Sequence, residues 1–86
     1  MPTVSQFYGI SIRMFYNDHV PPHFHAVYAE HELIVGINPI AILEGSAPSR
    51  VRSMALEWAA LHQQELQDDW DRCRRAEAPI PIAPLD

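Results

Sequence analysis

Leu33-Ile34-Val35-Gly36-Ile37-Asn38-Pro39-Ile40-Ala41-Ile42-Leu43-Glu44-Gly45 holds two short apolar runs hinged on an Asn-Pro turn signal. Runs of this length, rich in Ile and Val and bounded by turn residues, read as strands. So short a connection makes the two strands antiparallel neighbours. Working back, His23-Phe24-His25-Ala26-Val27-Tyr28-Ala29 reads as a strand that reaches Leu33 through a Glu30-His31-Glu32 turn. His31 at that tip is a solvent-facing turn residue and stays outside the candidate site. Earlier still, Gln6 to Tyr16 alternates, with Tyr8, Ile10, Ile12, Met14 and Tyr16 on an apolar face and Arg13 on the other. That is one period-two strand, with Ser5 and Gln6 as its lead-in. The expectation is a four-stranded antiparallel meander with one face free for a helix to cover.

Working forward, Gly45-Ser46-Ala47-Pro48-Ser49 is the boundary. Ser46 or Ala47 is the expected N-cap, with Pro48 near the first helical position. From Ser49 to Ala78 there is neither glycine nor proline, and Val51, Met54, Ala55, Trp58, Leu61, His62, Leu66, Trp70 and Cys73 recur at three- and four-residue steps. This is one long amphipathic helix. Unbroken over about 28 residues it would be roughly 42 Å long, whereas a compact chain of this size has a radius of gyration near ~12 Å. It must overhang, so that Trp70 and Cys73 need another surface, or break near Gln67-Asp68-Asp69. The tail, Ala78 to Asp86, alternates proline with Ile and Ala and is expected to be extended. It either lies across its own domain or docks on a neighbour. The reading is therefore one α+β domain over 1–86: a sheet with a histidine loop over 1–45, a helix over 46–77 and a tail over 78–86.

The chemistry concentrates in Asn17-Asp18-His19-Val20-Pro21-Pro22-His23-Phe24-His25-Ala26, which carries three of the five histidines. Two prolines make the connector stiff and non-helical. His23 and His25, two apart on a strand, project from one face about 6.5–7 Å apart at the backbone, and Phe24 points the other way. His19 and Asp18 can approach from the loop. Imidazoles titrate near neutral pH, so His19, His23 and His25 are candidate acid and base groups, with Asp18 orienting one of them. Arg13, Arg50 and Arg52 are candidate contacts for an anionic substrate, and Asn17 and His62 are candidates for a supporting layer. His62, with Glu65 one turn on, could be brought to the loop by the helix, or be a core histidine satisfied by one hydrogen bond. No cofactor is required by this reading. The alternative is a divalent metal such as zinc held by His19, His23 and His25, although His-x3-His-x-His is not a standard zinc signature and no fourth ligand is apparent.

The bulk properties narrow the classes. A formal net charge of −5, with no lysine among the six cationic residues, counts against a free-standing nucleic-acid binder. A local patch of Arg13, Arg50 and Arg52 leaves RNA open as a substrate. A single cysteine, Cys73, cannot close an internal disulfide, which fits a reducing cytoplasm. No secretory leader or membrane span is visible. At 86 residues the core is small, so support from a partner, a metal or a homodimer is expected.

Tyr8-Gly9-Ile10, Arg13-Met14, Asn17-Asp18-His19, Pro21 to Ala26, and later Leu56-Glu57-Trp58-Ala59 with Leu61-His62 and Trp70 resemble a small bacterial family known only as a domain of unknown function. Members of that family commonly lie beside a gene for a second small uncharacterised protein. The resemblance therefore implies a two-gene, toxin–antitoxin-like module and a small protein partner, but no catalytic residue. Two functions of different class follow. One is a small metal-independent enzyme using the histidines for acid/base chemistry, ribonuclease-like cleavage being the natural reaction. The other is a non-catalytic binding module, or a metal-binding protein, whose ligand is the neighbouring gene's product.

Overall fold

The computed structural model describes residues 2–86 and contains β1 (Thr3–Phe7), β2 (Ile10–Arg13), β3 (His23–Tyr28), β4 (His31–Ile37), β5 (Ile40–Ser46), α1 (Ser49–Leu61) and α2 (Gln63–Arg74). The five strands form one antiparallel meander in sequence order. The class is α+β as expected, but with five strands in place of four and two helices in place of one.

The extra strand comes from the run expected to be one strand over Gln6–Tyr16. Tyr8 and Gly9 both adopt positive φ, 50° and 79°, the backbone of a type I′ two-residue hairpin turn. The turn pairs Phe7 with Ile10, and both are buried. Two residues three apart cannot share a face of a continuous strand, so the alternation resets phase here. Tyr8 is exposed, Ser5 is buried, and residues 3–7 form the first strand instead of a lead-in.

The β3–β4 turn falls at Ala29 and Glu30, one residue earlier than the sequence suggests, with Ala29 at φ 51°. His31 and Glu32 are thereby drawn into β4. Asn38-Pro39 closes the next hairpin through a cis peptide, as a type VI turn requires. Its strands carry a bulge between Ile34 and Val35, and Gly45 adopts φ +93° against Glu32.

Pro48 is the N-cap of α1 rather than its first helical residue. Its carbonyl accepts the first helical bond from the Arg52 N–H at 3.1 Å. The helix then breaks at His62, whose φ of −125° interrupts the ladder and whose N–H is shared between the Trp58 and Ala59 carbonyls. A break was expected only as an alternative, and five residues later. A straight helix through α2 would run about 39 Å, longer than the molecule's 33 Å extent. Just past the break, the Gln63 amide donates to the Ile37 carbonyl at 2.7 Å and moors α2 to the end of β4. Trp70 and Cys73 are consequently buried in this chain's own core, with no overhang. Leu61, beside the break, leaves the apolar stripe and is exposed.

The core lies between the helices and one sheet face. Trp58, fully buried, meets Phe7 and Phe24 at ring-centroid distances of 5.4 and 5.7 Å. The tail crosses its own domain: the Ile82 N–H bonds to the Val4 carbonyl at 2.8 Å, and the Ala83 carbonyl accepts from the Trp58 indole at 2.8 Å. Among the described residues, no helix is long and apolar enough to cross a membrane.

Candidate metal centre

The loop from Phe15 to Pro22 drapes over the end of β3, and its shape is set residue by residue. Asn17 adopts φ 56°, a left-handed conformation that Asn tolerates better than most residues. Its N–H bonds to the Cys73 carbonyl at 3.4 Å, tying the loop to the end of α2. Asp18 is thereby turned back over the sheet. The Val20–Pro21 peptide is cis, and the Pro22 carbonyl accepts from the Ile37 N–H at 3.1 Å.

Three side chains converge under this loop. Asp18 Oδ2 lies 2.9 Å from His23 Nε2 and 3.3 Å from His25 Nε2. The other ring nitrogens are anchored on oxygens that can only accept. His23 Nδ1 donates to the Pro21 carbonyl at 2.7 Å, and His25 Nδ1 donates to Glu32 Oε2 at 2.9 Å. Neutral rings so anchored present their Nε2 lone pairs, and both face the Asp18 carboxylate. Acceptors this close need a positive charge between them, either protons or a metal cation. The site is nearly closed to solvent: the side chains of His23, His25 and Asp18 are 4%, 14% and 15% exposed.

Aromatic rings hold the imidazoles in place. Trp70 of α2 packs on His23 at 5.1 Å between centroids, and Phe15 stands edge-on to His25 at 4.5 Å. For Asp18, burial pushes the carboxyl up, but the His19 N–H and the contacts with His25 and His23 outweigh it. The net result is a carboxyl held below its ordinary range, as an anion.

His19 is at the rim: its side chain is 88% exposed, with Nδ1 3.1 Å from the other Asp18 oxygen. Arg13 pairs directly with His25 across β2 and β3, so the two side chains share the sheet face away from α1. Arg50 and Arg52 do not join them. They lie on α1, across the sheet, where Arg52 donates to the Ala47 carbonyl at 3.1 Å. His62 also stays apart, packed on Trp58 at 5.4 Å between centroids and bonded to Glu65 at 2.6 Å. The helix residue that reaches the histidines is Trp70. Asn17 contributes its backbone bend, with no side-chain hydrogen bond among the described residues.

Three residues that touch the imidazoles, Phe15, Glu32 and Trp70, were not read from the sequence. Glu32 was assigned to a turn; once β4 begins at His31, it sits diagonally across from His25 within reach of Nδ1. Trp70 was read as core, and the break at His62 is what swings it to His23.

Fold and cluster together define a small α+β domain with a shielded two-histidine, one-carboxylate group at one end of its sheet. The chain belongs to the family described as Domain of unknown function (DUF4160), whose model matches residues 9–71, from the first turn through the histidine loop and most of α2. No curated protein and no solved structure matches the chain.

Proposed function

We propose that the chain is a small metal-dependent enzyme of hydrolytic class whose divalent transition-metal ion is held by Asp18 Oδ2, His23 Nε2 and His25 Nε2. The observation that carries this is the pair of anchored Nδ1 atoms, which leaves both Nε2 lone pairs and one carboxylate oxygen converging on a single point suited to a cation. Metal-binding histidines are held in this way, with the second ring N–H on a carbonyl or carboxylate. The spacing fits as well. Ligand atoms about 2.1 Å from a cation lie about 3.0 Å apart at right angles and about 3.4 Å apart at tetrahedral angles. The two edges at Asp18 are 2.9 and 3.3 Å, and the three ligand atoms all lie within 4.8 Å of one another.

Two histidines with one carboxylate is a donor set used for catalytic zinc and for non-haem iron, and it leaves coordination positions open. The metal-free acid/base reading is weaker because His23 is too buried to touch a substrate, whereas a buried imidazole can still hold a cation. The ligand set also differs from His19, His23 and His25, since His19 points to solvent and Asp18 takes its place. RNA as substrate rests on the acid/base reading of the histidines and on the arginine patch, and the toxin-like role beside a neighbouring partner rests on the sequence resemblance.

The test is elemental analysis of tag-free protein, as purified and after exposure to zinc, ferrous iron or manganese(II). Near-stoichiometric metal is expected in the native chain and its loss in Asp18→Asn and His25→Ala. Glu32→Gln, which keeps all three ligands, should weaken metal affinity by about 10- to 100-fold. A folded native protein that takes up none of the three cations overturns the proposal.

A further inference from the structure

We infer that Arg13 is the anchor for an oxyanion seated on the His25 side of the Asp18–His23–His25 centre, so that the site takes a small anionic substrate. The inference rests on the metal reading above and deepens it. Arg13 is directly opposite His25 in the β2–β3 register and half-buried on the same face. The guanidinium hydrogen bonds among the described residues belong to Arg52, Arg72 and Arg75, and Arg74 lies over the Trp70 ring. The Arg13 side chain has no hydrogen bond or ion pair among the described residues, although Glu32 and Glu44 lie on the same sheet face. A half-buried arginine with its guanidinium donors unspent is suited to a planar or tetrahedral oxyanion, which its fork grips with two hydrogen bonds.

The charge balance points the same way. A divalent cation with Asp18 and Glu32 sums to zero, and Arg13 adds one positive charge next to it. A singly charged anionic group can therefore bridge cation and guanidinium without leaving a net negative site. The rest of the molecule opposes a polyanion: the net charge is −5, and Arg50 and Arg52 lie across the sheet. A small phosphate ester, or a small molecule carrying a free carboxylate, fits better than a nucleic acid.

The experiment is calorimetric titration of the zinc-loaded native chain with inorganic phosphate, with acetate and with a short single-stranded RNA. Arg13→Gln and Arg13→Lys are run beside it, each checked for metal content and urea midpoint. Saturable binding of phosphate or acetate is expected; stronger binding of one identifies the class of anion. Arg13→Gln should weaken it by about tenfold or more with metal content unchanged, and Arg13→Lys should restore part of the loss. Equal binding by Arg13→Gln overturns the inference, as does binding of RNA without binding of either small anion. Loss of metal in Arg13→Gln also overturns it, since Arg13 would then support the centre itself. A native chain that takes up no metal instead fails at the earlier step, before any anion is added.

Discussion

At Gly45 the backbone sits at φ +93°, and a Cβ there would collide with the Glu32 carbonyl oxygen. Gly45→Ala must then either strain the bulge or push β4 away, and a loss of at least ~2 kcal/mol is expected in urea unfolding. Because Glu32 also anchors His25, the variant should bind metal less tightly. A second residue-scale case is Asp69, almost fully buried on α2. One of its oxygens accepts from Arg72 and from the Ile80 N–H, each at 2.8 Å, and the other has no partner among the described residues. Burial pushes its carboxyl above the ordinary 3.8, with the Ile80 N–H and Arg72 only partly opposing this. The folded state therefore holds this proton to higher pH than the unfolded chain. Its stabilising effect is complete below 3.8 and is lost as pH rises through the shifted value. Urea midpoints measured from pH 3 upward should show native stability falling relative to Asp69→Asn across this acid range. A constant or rising difference would show that burial does not control this carboxyl.

Elements with their own periodicity were legible in the sequence, and those defined by a break in it were not. β3, β4, β5 and the apolar stripe of α1 follow from alternation, from Asn38-Pro39 and from the Val51-Ala55-Trp58 spacing. His23 and His25 share a face because β3 is regular. The Tyr8-Gly9 turn was hidden because Tyr8, being apolar, continued the alternation through the point where its phase resets. The position of the break at His62 was hidden because the run from Ser49 to Ala78 holds neither glycine nor proline; what fixes it is tertiary, the Gln63 bond to the Ile37 carbonyl. Asp18, His23 and His25 were all visible as candidates, but the anchoring of each Nδ1 depends on register and loop shape. The hidden turn gives a prediction at this scale. A type I′ turn favours Asn before Gly, and Tyr8 is 54% exposed. Tyr8→Asn should raise stability by about 0.5–1 kcal/mol in urea unfolding, whereas a lower midpoint would show that the Tyr8 ring contributes packing that outweighs the turn.

For the whole molecule, the tail replaces the external surface that a protruding helix would have needed. Ile82 is buried, and three bonds fasten the strap: Ile80 N–H to Asp69, Ile82 N–H to the Val4 carbonyl, and the Trp58 indole N–H to the Ala83 carbonyl. Burying an isoleucine contributes about 2–3 kcal/mol, and each hydrogen bond about 1 kcal/mol net. Ordering the chain offsets part of this, but Pro79, Pro81 and Pro84 already restrict φ in the unfolded tail, so less freedom is lost than in an ordinary segment. Removing residues 78–86 should therefore cost about 2 kcal/mol net, a large share for a domain of this size, whose total is of order 4–13 kcal/mol. The Trp58 indole would meet water, and its fluorescence should shift to the red. Asp18, His23 and His25 make no hydrogen bond to the tail, so metal stoichiometry should survive the truncation. An unchanged urea midpoint would show that the strap adds nothing to the fold. Loss of metal from a chain that remains folded would mean that the tail sets α2, and through Trp70 the position of His23.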